Sequence, residues 1–298
     1  MQSKVRRYSI SIALWAVLLS VGPALAAEQS AAPPASVEEG PHMVMAPRGD
    51  PYPPYLADPH RASVEILNTR VTHVDIPDSG NSRYGLKLGG RFGIARLDPQ
   101  GHPGEGWQFG MELGFVGEFD LDHDYDNIGW DGIYAFLFTA PLSESVRIKL
   151  GTGHRSSHVG DEYMERTGRR RINYTRLERL AGLSWYFVPA WRLYGEYGRA
   201  YEMNNEALQR PGRAQMGLEY QPARQWWNGQ LGWYTALDVS AMEERDWQAD
   251  IAVRAGYVFD ADGRRWSLSA MYYRGRPTIG EFFQHTESYF GIGLRLEL

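Results

Sequence analysis

From about Ala62 onward, apolar and polar positions alternate with a period of two, the spacing of a strand that shows one face to each side. The last segment, "SYFGIGLRLEL", is the plainest case. Phe290, Ile292, Leu294, Leu296 and Leu298 fall on one face, and Tyr289, Gly291, Gly293, Arg295 and Glu297 on the other. "YGLKLGGRFGI", "WQFGMELGF", "RAQMGLEY", "DIAVRAGYVF" and "RWSLSAMYY" repeat the arrangement. The pattern predicts twelve strands, near 62–73, 84–97, 107–121, 129–140, 145–158, 174–187, 191–202, 212–221, 229–240, 249–259, 265–274 and 287–298.

The less apolar face separates two all-β architectures. A soluble β-sandwich or lipocalin-like barrel turns its apolar face inward and covers the other with Lys, Thr and Ser. Here the second face holds glycines and opposed charges instead: Lys87, Arg91, Glu112, Arg192, Glu196, Glu219 and Arg254. Such a face suits a narrow lumen filled by ion pairs, and the apolar face then meets lipid. An even strand number, with tyrosine and tryptophan near strand ends, completes the pattern of a transmembrane antiparallel β-barrel of the bacterial outer membrane. The bilayer explains why it must close, since an unpaired backbone edge in hydrocarbon is costly. A free aqueous channel is not expected, because open pores belong to barrels of about sixteen strands.

Barrel topology sorts the connections. With both termini periplasmic, segments 74–83, 122–129, 159–173, 202–211, 241–249 and 274–287 become external loops. The tight turns "PLSES", "VPAW" and "DADGR" fall on the other side. The charged clusters therefore gather at one rim.

The ends change the picture in one respect. Lys4, Arg6 and Arg7, an apolar run from Ile10 to Val21, and "ALA" at 24–26 form a secretory signal peptide over residues 1–26. Its removal takes away three positive charges and no acid, moving the formal net charge from −5 to −8. That balance argues against a nucleic-acid partner. Residues 27–60, with "AAPPAS" and "APRGDPYPPYLADP", are too rich in proline for helix or inner strand. They read as a periplasmic arm that offers a docking segment for a partner, followed by a barrel over 61–298. There are no cysteines, so an exported chain of this kind holds together without disulfides.

Candidate chemistry concentrates in "HRSSHVGDE" at 154–162. His154 and Ser156 are two apart, so they project from one side of a strand with α-carbons about 6.5 Å apart. Histidine beside serine, oriented by a carboxylate, is what an activated serine nucleophile requires. Asp161 and Glu162 are the nearest carboxylates in sequence, and the amides of Ser157 or Gly160 are the nearest oxyanion donors. If the strand stays regular, His154 and Ser156 share the outward face of Val146, Ile148, Leu150 and Thr152. A bulge at Gly151 or Gly153 would reverse this. The plain alternative is that the cluster marks where the strand leaves the membrane.

"RTGRRR" supplies Arg166, Arg169, Arg170 and Arg171, which on an external loop can grip lipid phosphates, with Ser157 and His158 as further contacts. Asp120, Asp122, Asp124 and Asp126 alternate in "FDLDHDYDN" but lack the glycine and closing glutamate of a calcium loop, so they read as an acidic mouth. No cofactor or metal is expected.

Several motifs in order, "SSHVGDEY", "RINYTR", "EERDW", "YYRGRP" with "GEFF", and "YFGIGLRLEL", resemble the bacterial family known as domain of unknown function 1207, over about Leu56 to Leu298. The resemblance implies an exported β-rich protein and no particular activity. "HRSS" is also similar to the His-x-Ser-Asn element of outer-membrane lipid A 3-O-deacylases of the PagL type. That resemblance implies His154 as base and Ser156 as nucleophile, with Ser157 where that family has asparagine. Two functions are therefore expected to compete. One is a serine-type esterase or deacylase acting on outer-membrane lipid or lipopolysaccharide. The other is a non-enzymatic barrel: a small-solute pore, an envelope-stabilising protein or the membrane part of an export system.

Overall fold

The computed structural model describes residues 40–298 except Gln225, Asp262 and Leu298. The expected signal peptide and the start of the arm lie outside the described residues. Thirteen strands form one antiparallel sheet. A short strand β1 (His42–Met45) precedes twelve barrel strands: β2 (Val64–His73), β3 (Ser82–Asp98), β4 (Trp107–Asp120), β5 (Asp126–Pro141), β6 (Val146–Val159), β7 (Thr175–Val188), β8 (Trp191–Met203), β9 (Gly212–Tyr220), β10 (Leu231–Met242), β11 (Ala249–Ala261), β12 (Arg264–Gly275) and β13 (Glu287–Glu297). Each barrel strand pairs with its neighbours in sequence, and β13 pairs back to β2 through Leu294↔Ile66 and Ile292↔Asn68. The barrel is closed, as the alternation predicts.

The alternation decides which way each side chain points. On β13 the apolar residues Phe290, Ile292 and Leu294 are exposed on the outer wall, while Arg295 is fully buried in the lumen. Rings ring the turn end of the wall: Phe187, Trp191, Tyr220 and Trp233 form a chain with centroids 6.3, 4.7 and 5.2 Å apart. Such a belt fits the membrane–water boundary.

Inside, charges are matched. Glu65 receives Arg254 at 2.7 Å and Arg295 at 3.0 Å. Glu196 takes Lys149 at 2.5 Å and Arg213 at 2.6 Å, and Arg83 joins Glu118 and Glu287 at 2.7 Å each. In a low-dielectric lumen any one of these left alone would be strongly destabilising.

The described part of the segment expected as an arm, residues 40–60, packs against the barrel. Residues 46–63 do not hang free of the barrel, for the segment from Tyr52 to Ser63 runs through the lumen as a plug. Tyr52, Tyr55 and Ala57 are buried, and Tyr55 stacks on Tyr194 with centroids 3.8 Å apart. The reason lies in proline chemistry. A proline-rich segment has few N–H donors but keeps its carbonyls, and the lumen cations supply the missing donors. Arg192 donates to Pro53 O at 2.8 Å, Arg295 to Leu56 O at 3.2 Å, Lys87 to Pro59 O at 2.5 Å, and Arg155 to His60 O at 2.7 Å. Gly182 on the lumen face leaves room for this, since a Cβ there would meet Tyr52 Oη at 3.0 Å.

The loop end is covered as well. The β12–β13 connection folds inward, burying Ile279, Phe282 and Phe283. A short helix α1 (Asp161–Thr167) brings Tyr163 against Phe282 and Ile76.

Candidate functional site

β6 carries no register shift against either β5 or β7, so neither Gly151 nor Gly153 is a bulge. Parity therefore holds. Lys149, Arg155 and Ser157 turn to the lumen, and Thr152, His154, Ser156 and His158 turn to the outer wall. This face is the one that apolar residues occupy elsewhere on the barrel.

The register builds a notch around Ser156. Its direct partner on β5 is Gly132, and a Cβ at Gly132 would come within 3.3 Å of Ser156 Oγ. On one side of this gap His158 stacks on Trp130, with centroids 4.1 Å apart. On the other, His154 stacks on Tyr134 at 4.6 Å. Two imidazole–aromatic stacks thus flank a glycine–serine gap. Arg171 donates from Nη2 to His158 Nδ1 at 2.7 Å, which fixes that nitrogen as acceptor. His154 Nδ1 is buried with no hydrogen-bond partner. A polar atom left so in a lipid-facing wall is costly.

Other expected members of the site are elsewhere. Asp161 and Glu162 are exposed on the first turn of α1, beyond the end of β6 at Val159. That end is roughly 16 Å along the strand from His154. The structure brings a different carboxylate into the row: His154 faces Leu177 on β7, which faces Glu202 on β8. Glu202 thus stands two strands from His154 in the same cross-strand row. Sequence reasoning missed it because only the β6–β7–β8 register brings it near.

The expected oxyanion donors are also committed. Ser157 N donates to Tyr174 O at 2.9 Å and Gly160 N to Ile128 O at 3.0 Å. The Ser157 hydroxyl points into the lumen, where it binds Asp131 and accepts from Glu281 N at 2.8 Å, anchoring the inward-folded loop.

Three of the loop arginines are engaged within the chain. Arg166 pairs with Asp126 at 2.8 Å, and Arg169 donates to Glu281 O at 2.9 Å and lies over the Phe282 ring. Arg171 holds His158, and Arg170 is exposed. The acidic run tethers loops. Asp120 accepts from Gly80 N at 2.7 Å, and Asp122 from Asn81 N and Ser82 N at 2.8 and 3.0 Å. Those backbone donors hold the Asp122 carboxyl below its usual range. Within the lumen a polar cavity of about 140 Å³ remains beside the plug, lined among others by Asp58, Arg91, Arg176 and Arg276.

A family model described as "Protein of unknown function (DUF1207)" matches residues 35–298. No curated protein matches the chain, so the deacylase likeness of "HRSS" rests on those residues alone. Among solved structures, outer membrane phospholipase A from Escherichia coli aligns with a TM-score of 0.57 at 8% identity, covering 79% of this chain and 92% of that one. The Salmonella typhi outer membrane phospholipase dimer with bound calcium aligns with 0.57 at 10%, covering 83% and 94%. The KdgM porin aligns with 0.44 at 8%, covering 80% and 99%. At such identities the likeness is one of fold: a closed twelve-stranded barrel of the outer-membrane kind.

Proposed function

For a chain that belongs to this family of unknown function, we propose hydrolysis of an acyl ester of a membrane lipid, carried out on the outer wall of the barrel. One observation carries the reading. His154 and Ser156 lie two residues apart on the lipid-facing side of β6, with the imidazole Nδ1 buried and without a hydrogen-bond partner. An ionisable residue turned toward lipid is expensive to keep, and function is the ordinary reason for keeping it. The fold shared with outer membrane phospholipases is compatible with this and carries no residue roles.

In this reading Ser156 Oγ attacks the acyl carbonyl as His154 takes its proton. Glu202, in the same cross-strand row, stabilises the imidazolium. The ester C–O bond breaks, the proton passes from His154 to the departing alkoxide, and water then releases the fatty acid from Ser156 by the reverse sequence. The Gly132 gap lets an ester reach Ser156 from the bilayer, and the substrate need not enter the lumen. Lipids of the leaflet on the loop side, lipopolysaccharide included, are the accessible pool. The competing reading of a small-solute pore loses support from the plug and the ion pairs that fill the lumen.

Ser156→Ala and His154→Asn are expected to abolish fatty-acid release from mixed lipid vesicles and to leave the cellular lipid profile unprocessed by mass spectrometry. Lipid profiles identical in wild type and both variants, with no ester hydrolysed by the purified protein, would end the proposal.

A further inference from the structure

The outer wall beside His154 holds two arginines that no ion pair accounts for. Arg179 on β7 and Arg199 on β8 are direct cross-strand partners, and both are exposed on the lipid side. The ion pairs of these strands lie on the opposite face, where Arg176 joins Glu178 at 3.0 Å and Arg192 joins Glu219 at 3.1 Å. Neither Arg179 nor Arg199 takes part in an ion pair among the described residues. Like charges placed directly opposite in an antiparallel ladder repel. Arginine on the lipid face also costs up to about 2–4 kcal/mol at mid-bilayer, falling to about 0–1 near the interface. A barrel that places two there, opposed, has left room for an anion.

The surroundings define the anion. Arg179 is positioned, its guanidinium lying 5.4 Å from the centre of the Tyr201 ring. Tyr201 Oη in turn contacts Thr152 Oγ1 at 3.2 Å, and Thr152 is the cross-strand partner of Arg179. Toward the turn end the same wall becomes apolar, with Leu150, Leu183 and Tyr197 exposed. An anion held by the pair would sit at the upper edge of an acyl-chain surface. Guanidinium forks match phosphate oxygens in pairs, and two of them on adjacent strands can bracket a single phosphate.

We infer that Arg179 and Arg199 seat the phosphate of an acyl lipid whose chains lie on the wall below, next to the His154–Ser156 notch. The inference deepens the esterase reading and takes it as its setting, for Thr152 precedes His154 by one outward position on β6. It names the substrate class as a lipid carrying both a phosphate and an acyl ester.

The test separates binding from hydrolysis by using full-length mature protein with Ser156→Ala, in detergent micelles, and phosphatidylglycerol as the probe. Native mass spectrometry is expected to show retained phosphatidylglycerol but no retained diacylglycerol. In the same background Arg179→Leu with Arg199→Leu is expected to weaken retention about tenfold or more, and the double lysine variant to fall between, having the charge without the fork. Undiminished retention by the double leucine variant, or diacylglycerol held as well as phosphatidylglycerol, would overturn the inference. Displacement of the lipid by millimolar inorganic phosphate would also overturn it, assigning the pair to a free anion. Retention as expected in a protein whose Ser156 form releases no fatty acid would leave the phosphate seat standing and remove the esterase.

Discussion

The wall made by β11–β13 and the wall made by β5–β8 follow the same alternation and face the same medium, yet their outward residues differ. On the first, Ile251, Val253, Leu268, Phe290, Ile292 and Leu294 give lipid an apolar surface, with Arg274 on the same face only at its loop end, opposite Ile251. On β6 the apolar run of Ile148 and Leu150 gives way to Thr152, His154, Ser156 and His158 without any change of register. Arg179, Arg199 and Glu202 extend the polar region across β7 and β8. A bulge would have explained the polar residues as lumen groups. β6 has none, so the chain keeps its polar residues in lipid, while the register shift at Leu177/Glu178 between β7 and β8 sets the parity of Glu202. A local rule broken on β6 without structural gain points to function.

Four substitutions break or sharpen this contrast, in falling order of effect on stability. Glu65→Gln removes the acid that Arg254 and Arg295 share behind the plain wall. With Arg254 and Lys87 left without an ion pair and Arg295 keeping only Glu297 at 4.0 Å, the loss is expected to be about 3–5 kcal/mol, read by denaturant unfolding in micelles or vesicles. Ile292→Arg puts a charge on the plain wall itself and is expected to destabilise by about 2–4 kcal/mol in the same assay. A negligible loss would mean that the two walls do not differ in their tolerance of charge. Arg179→Leu relieves the opposed pair, and unfolding should show stability unchanged or raised by about 0.2–1 kcal/mol. A large loss would make Arg179 structural. Similarly small in its effect on stability is Gly132→Leu, about 0.5–1 kcal/mol for a half-buried position on the outer wall. It fills the gap beside Ser156, however, and fatty-acid release should fall to the level of Ser156→Ala.

The barrel was legible because each strand carries its own evidence: one face greasy, the other glycine and charge, repeated in segment after segment. The outward direction of His154 and Ser156 was legible for the same reason, since parity follows from Ile148 and Leu150. The plug was not. Residues 46–60 have no period, and their prolines do not say where the arm packs until the lumen cations that donate to its carbonyls are placed around it. The partner acid was not legible either. Asp161 and Glu162 are close in sequence but belong to a helix past the strand end, whereas Glu202 reaches the His154 row through two strand pairings. Nor did "RTGRRR" announce that Arg166 and Arg169 tie down loops, while the opposed pair on the lipid side, Arg179 and Arg199, comes from isolated arginines on β7 and β8.

The pairing of β13 with β2 has a consequence for biogenesis. The seam joins the final strand to the first, and the residues just before the first already occupy the space that the seam encloses. A finished cylinder crowded with matched charges offers no passage for a proline-rich segment to thread afterwards. The cylinder is therefore expected to wind around its own leading residues, with the zipping of tail to head as the closing act. Insertion into the membrane then delivers a vessel that is already stoppered.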